Sequence, residues 1–105
     1  MFSIFKKFFG GGSAVDFKEL ALRGAVIVDV RTAAEFKTGH IQGAINIPLD
    51  QVKSKMAELK KANKPIITCC RSGSRSGMAK SMIHAAGMEC YNGGPWNILQ
   101  TKIRE

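Results

Sequence analysis

Two short β-branched runs, spaced about forty residues apart, constrain this chain most. Residues 25–30 (AVIVDV) and 66–69 (IITC) are apolar and too short for helices, and both sit among turn residues, so they read as buried strands. Helical patterns alternate with them. Asp16 is placed to cap a helix through Phe17, Leu20 and Leu22, ended by Gly24. Thr32-Ala33-Ala34-Glu35 is a capping box opening a short helix that Gly39 closes. Residues 44–47 are strand-like until Pro48, and Asp50 is placed to cap a helix with Val52, Met56 and Leu59 on one face. Residues 76–86 predict a helix with Met78, Met82 and Ile83 inward, closed by Gly87; residues 88–91 predict a strand. Pro95 suits the first turn of a last helix carrying Trp96, Leu99 and Ile103 on one face. Strands and helices in alternation imply an α/β domain with a mainly parallel sheet.

The chain of 105 residues is the size of one domain, and its apolar (45%) and charged (23%) fractions are those of an ordinary globular protein. No apolar run approaches the roughly 20 residues of a membrane span. Three cysteines are an odd number and none forms a CxxC pair, which argues against a disulfide framework or structural zinc and for a reducing, cytoplasmic setting. No cofactor or metal is implied. The net charge of +8 is partly carried by Lys53, Lys55, Lys60, Lys61 and Lys64, read as a solvated helix face in preference to an anion-binding patch. With no aromatic-interleaved basic motif, no nucleic-acid partner is expected. Residues 1–9 place Phe2, Phe5 and Phe9 at helical spacing before a linker, Gly10 to Ser13. This segment is expected to be a short packed helix or frayed tail; the competing reading is a weak membrane anchor or partner-docking helix. The domain proper is expected over residues 14–105.

The chemistry concentrates in Cys69-Cys70-Arg71-Ser72-Gly73-Ser74-Arg75-Ser76, between a buried strand and a helix. Ligands of open α/β sheets bind beyond the carboxyl ends of strands, often against a helix N-terminus. A loop from Cys70 to Arg75 curling around its first residue would aim several N–H groups at one spot, with Gly73 supplying the backbone freedom and Arg75 a positive charge. Such a nest favours thiolate over thiol and would also hold an anion arriving at the sulfur.

The sequence resembles the rhodanese family over nearly all of the chain after the glycine linker. Val28-Asp29-Val30-Arg31 followed by Glu35-Phe36, then Gly39-His40-Ile41-Gln42-Gly43-Ala44-Ile45-Asn46-Ile47-Pro48, resembles the family's first signature. Cys70 through Ser76 resembles its active-site loop, and Asn92-Gly93-Gly94 with Trp96 its closing turn. The resemblance implies a three-layer domain with a central, mostly parallel sheet flanked by helices, and persulfide chemistry on Cys70. A sulfurtransferase of this kind takes sulfur from a small anionic donor such as thiosulfate and passes it to a thiol or protein-cysteine acceptor.

The vicinal cysteines leave a choice. Counted from Cys70 the loop is C-x4-R; counted from Cys69 it is C-x5-R-S, the minimal phosphatase signature. The position of Gly73, the Thr68 where phosphatases usually carry His, and an apolar strand ending at Cys69 favour Cys70 as nucleophile, with Cys69 and Cys90 as small buried hydrophobes. Arg71 is the candidate for substrate contact, Arg75 for structure, with Ser72, Gly73 and Ser74 completing the loop. Asp29 and Arg31 are expected near it, chiefly as a mutual pair. His40 is assigned a structural hydrogen bond within the Gly39–Pro48 motif, His84 a solvent-facing position, and Glu35 the capping box. Two further readings stand beside sulfur transfer: a small phosphatase or arsenate reductase using the same cradle, and a sulfur-relay or binding module that acts only with a partner.

Overall fold

A computed structural model describes residues 15–104. The N-terminal phenylalanine segment and its linker, with the docking role considered for them, lie outside the described residues. The elements run α1 (Phe17–Leu22), β1 (Val26–Asp29), α2 (Ala33–Lys37), β2 (Ile45–Asn46), two 3-10 turns (Leu49–Gln51 and Lys53–Lys55), α3 (Met56–Ala62), β3 (Ile66–Cys70), α4 (Ser74–Ala85), β4 (Cys90–Pro95) and α5 (Trp96–Arg104). The four strands form one parallel sheet in the order β2-β1-β3-β4, so the two β-branched runs are its central strands.

Side chains of successive strand residues point to opposite faces. On β3 this separates Ile66 and Cys70 from Ile67 and Cys69. The first pair packs with Val28, Val30, Leu59, Ala79 and Ile83, under α3 and α4. The second packs with Leu20, Ile41 and Leu99, under α1 and α5. The vicinal cysteines thus belong to different halves of the core.

Both caps expected near the N-terminus form. The Asp16 carboxylate accepts the Glu19 N–H at 3.0 Å, and Thr32 and Glu35 make the reciprocal capping box. Several boundaries and one facing differ. Asp50 caps no helix; it lies in a 3-10 turn whose i→i+3 bonds (Gln51 N–H to Pro48 C=O, Val52 N–H to Leu49 C=O) wind the chain tightly and bring Val52 to full burial, and α3 begins only at Met56. On α4 the buried stripe is Ser76, Ala79 and Ile83, whereas Met78 is 53% exposed. Small residues take the inward positions because the helix lies close to the sheet: a Cβ on Gly77 would stand 3.2 Å from Asn92 Nδ2. β3 extends one residue further than its apolar run, ending at Cys70, and β4 runs to Pro95, with the last helix starting at Trp96. A proline is tolerated there because β4 is an edge strand.

Candidate functional site

Cys70 ends a central strand, and the chain must turn at once to enter α4. It does so through Arg71, Ser72 and Gly73, with Gly73 at φ +99°, the left-handed region that side-chain-bearing residues avoid. Gly73 is also the residue that caps α4, and it has no side chain with which to hold the helix's free N–H groups. The Cys70 sulfur fills that place. Gly73 N–H donates to Sγ at 3.0 Å and Ser76 N–H, in the first turn, at 3.4 Å; the Ser76 hydroxyl lies 3.3 Å from the same atom.

Burial raises the pKa of the Cys70 thiol, but the Ser76 hydroxyl, the Ser76 and Gly73 amides and a contribution from the Ser72 amide outweigh it, so the net displacement is downward. The other cysteines go the opposite way. Burial, abetted by the Asp29 charge, pushes Cys69 up to about 12, and burial pushes Cys90 up to about 12. The phosphatase spacing counted from Cys69 therefore starts from a thiol held neutral on the far face of the sheet. Cys70 has no exposed surface of its own. The loop that follows it exposes Arg71, Ser72 and Ser74 to solvent.

The sequence-predicted loop residues divide. Arg71 is exposed, and among the described residues no carboxylate pairs with it. Arg75 makes no hydrogen bond to the sulfur: its guanidinium makes a two-pronged pair with Glu35, 2.8 and 3.0 Å, tying α4 to α2. Glu35 meanwhile keeps its capping role. The Arg75 partner, then the Thr32 N–H, hold its carboxyl down at about 2. The direct contacts that stabilise the thiolate are thus the amides and Ser76, and Arg75 adds only the attraction of its charge at longer range.

Asp29 and Arg31 form the mutual pair expected of them, fully buried, with Nη2 to Oδ2 at 2.7 Å. Their remaining bonds lead away from the loop. Arg31 donates to the Glu35 and Gly39 carbonyls and stacks over Trp96, 4.8 Å from the ring centroid. The pair therefore supports the site at one remove: Arg31 holds α2, α2 carries Glu35, and Glu35 holds Arg75. His40 Nδ1 bonds the Phe36 carbonyl at 2.8 Å and its ring stacks on Phe36, so its hydrogen bond is structural but reaches back into α2, outside the Gly39–Pro48 motif. His84 is exposed.

Two residues of the arrangement lay within the recognised motifs but were assigned no role at the site. Ser76 is fully buried beside the sulfur, and its hydroxyl is also 2.7 Å from Asn92 Oδ1. Asn92 in turn donates to the Gly73 carbonyl at 3.1 Å and accepts the Gly94 N–H at 2.9 Å. A signal for Ser76 was present: a residue three beyond the helix cap has a free N–H, so the donors around a cysteine in such a loop extend past Arg75. Asn92 came from a different strand, and only the folded register brings it here.

Comparison with known proteins finds relatives of this chain. Residues 13–95 match the family model for the rhodanese-like domain. The chain is 42% identical over 71 residues to YqhL of Bacillus subtilis (strain 168), a match covering 67% of this chain and 56% of that protein. It is 38% identical over 80 residues to the thiosulfate sulfurtransferase PspE of Escherichia coli (strain K12), covering 73% of this chain and 77% of PspE. Among solved structures, a rhodanese with anions from E. coli superposes with a TM-score of 0.64 at 33% identity, covering 70% of this chain and 88% of that one.

Proposed function

Starting from a chain that belongs to the rhodanese-like domain family, we propose that it is a sulfurtransferase whose carrier atom is the Cys70 sulfur. The observation that carries this reading is the contrast among three buried thiols: one accepts the N–H groups of a helix start and is displaced toward thiolate, while two are pushed up to about 12.

The reaction divides into two displacements. In the first, Cys70 thiolate attacks the outer sulfur of an anionic donor such as thiosulfate. A sulfur–sulfur bond forms to Sγ, the donor's own sulfur–sulfur bond breaks, and sulfite leaves with the bonding electron pair. Arg71, exposed at the loop, meets the anionic donor; the Gly73 and Ser76 amides stabilise negative charge on the sulfur. In the second, a thiolate acceptor attacks the outer persulfide sulfur and Cys70 leaves as the thiolate, restoring the enzyme. The thiolate is the nucleophile of the first step and the leaving group of the second, so the same amide contacts serve both. Nothing in this sequence of steps requires a metal or cofactor. Thiosulfate as donor and a cellular thiol or protein cysteine as acceptor are part of the proposal, as is a cytoplasmic setting.

Mass spectrometry of the full chain after incubation with thiosulfate tests it. The expected result is a gain of one sulfur atom on the Cys70 peptide, removed again by cyanide with release of thiocyanate. Sulfur on another cysteine, or on none with either thiosulfate or a protein persulfide donor, refutes the reading. Loading from a protein persulfide but not from thiosulfate would replace the free donor by a partner while keeping Cys70 as carrier.

A further inference from the structure

The hydrogen bonds around Asn92 leave its amide only one orientation. Gly94 N–H can only donate and the Gly73 carbonyl can only accept, so Oδ1 faces Gly94 and Nδ2 faces Gly73. The Ser76 hydroxyl, 2.7 Å from Oδ1, therefore donates to it when it turns that way. The same hydroxyl is 3.3 Å from the Cys70 sulfur, and it has a single proton to place. When Cys70 is a thiol, its S–H can donate to Ser76 Oγ while Ser76 donates to Asn92. When the sulfur is an anion it has no proton to give, and the favourable arrangement turns the Ser76 proton toward it.

We propose that Ser76 and Asn92 form a one-proton switch on the reacting sulfur, the hydroxyl donating to Asn92 in the thiol and to Cys70 in the thiolate. The inference rests on Cys70 being the sulfur carrier and names the residues that set its protonation. Ser76 touches the reacting atom; Asn92 is a positioning residue that acts through Ser76. On ionisation the thiol proton goes to water, and the hydroxyl proton rotates without being transferred. The thiolate then gains a hydroxyl donor beside the amides, and Asn92 Oδ1 retains the Gly94 N–H. As sulfur leaves in the second half-reaction, the hydroxyl is in place to receive the returning charge.

The seat for this device is built into the fold. Ser76 has no exposed surface, so water does not compete for its hydroxyl. Gly77 has no side chain, and a Cβ there would press to 3.2 Å from Asn92 Nδ2. The strand carrying Asn92 shifts register against β3 between Thr68 and Cys70, at the level where Asn92 meets the loop. The charged groups of the neighbouring elements are paired, Arg75 of α4 with Glu35 of α2 and Asp29 with Arg31 beyond β1, with Arg71 exposed on the loop; the Arg75 charge is still felt at Cys70, but it is the same in both arrangements of the hydroxyl.

The two residues have opposite expected effects. Ser76→Ala removes a donor to the anion and raises the Cys70 pKa by about one unit, leaving roughly tenfold less thiolate at neutral pH. Asn92→Ala removes the acceptor that stabilises the thiol arrangement and lowers it, by about half a unit. The readout is the pH dependence of iodoacetamide alkylation of the Cys70 peptide, followed by mass spectrometry on the full chain across about pH 5 to 10. Combined with Ser76→Ala, Asn92→Ala is expected to change nothing further. A Ser76→Ala profile that matches the unmodified protein overturns the switch. So does an Asn92→Ala shift that persists without the Ser76 hydroxyl, since Asn92 would then act by holding the loop. Asn92 is exposed, so its variant tests the sign even if Ser76→Ala fails to fold. Alkylation needs no sulfur donor: a chain that never accepts sulfur but shows these shifts keeps the switch and loses the sulfurtransferase reading, and the reverse result does the opposite.

Discussion

Exchanging the vicinal cysteines one at a time separates the two halves of the core they occupy. With its pKa pushed up to about 12, Cys69 is thiolate in only about one molecule in 10⁵ at pH 7. Cys70 lies below the ordinary thiol value of 9.0, so more than about one molecule in 100 is ionised. Ionisation alone thus favours Cys70 by more than about a thousandfold, before its position beside the exposed loop is counted. Cys70→Ala is expected to reduce transfer of sulfur from thiosulfate to cyanide to the uncatalysed background. Cys69→Ala is expected to keep the rate within about threefold while lowering stability by about 1 kcal/mol, the order of deleting one methyl-sized group from a packed core. Initial rates, with thermal melts to show that both variants are folded, provide the comparison. Retained activity in folded Cys70→Ala, or loss confined to folded Cys69→Ala, would refute the reasoning and return attention to the C-x5-R spacing.

Three further perturbations probe the scaffold. Asp29→Ala leaves the Arg31 guanidinium buried without its counterion and is expected to cost about 3–5 kcal/mol, a fall of more than about 12 °C in Tm by circular dichroism; a loss below about 4 °C would mean that the Glu35 and Gly39 carbonyls satisfy Arg31 unaided. Because the folded Glu35 carboxyl sits at about 2 against an ordinary 4.5, its stabilising contribution is complete above about pH 4.5 and disappears as pH falls through about 2. The difference in unfolding stability between the unmodified chain and Glu35→Gln should accordingly be constant near neutrality and close in acid, and a difference that grows in acid would contradict the Arg75 pairing. Gly93→Ala would put a Cβ 2.8 Å from Ile67 Cγ2, Leu99 Cδ2 and the Thr68 carbonyl oxygen, and is expected to cost about 1–3 kcal/mol in chemical denaturation; an unaltered midpoint would show that the edge strand yields freely.

The layer order was legible because short apolar runs alternating with capped helical segments permit few other packings. Val26 to Asp29 and Ile66 to Cys70 are the central pair, and Asp16, Thr32 and Glu35 cap as their types require. What the periodicity misjudged was facing, at Met78. Hydrophobicity measures a side chain's gain from burial, whereas on α4 the room between helix and sheet decides. Where that room is small, Ser76 and Ala79 go inside and the larger methionine stays out. The turn after Pro48 fails for a related reason: 3-10 winding was preferred over an Asp50 cap once Val52 was drawn into the core.

For the site, the legible part was what lies within one loop: a sulfur at the end of a buried strand, a glycine for the turn, and the free amides of the helix that follows. The remainder depends on partners remote in sequence. Arg75 reads as a charge beside the nucleophile only while its neighbours are counted along the chain; Glu35, forty residues earlier, takes both prongs of its guanidinium once α2 and α4 are packed. With both prongs on Glu35, the direct contacts to the sulfur are dipoles and a hydroxyl, which carry no net charge, and the guanidinium acts on it only from beyond them. A guanidinium held against the sulfur would favour the thiolate and equally resist its departure into a bond with the incoming donor. On the proposed sulfur-transfer reading, amides and a hydroxyl would stabilise the anion while leaving its charge free to be spent on substrate, which is the more suitable arrangement for an atom that alternates between nucleophile and leaving group.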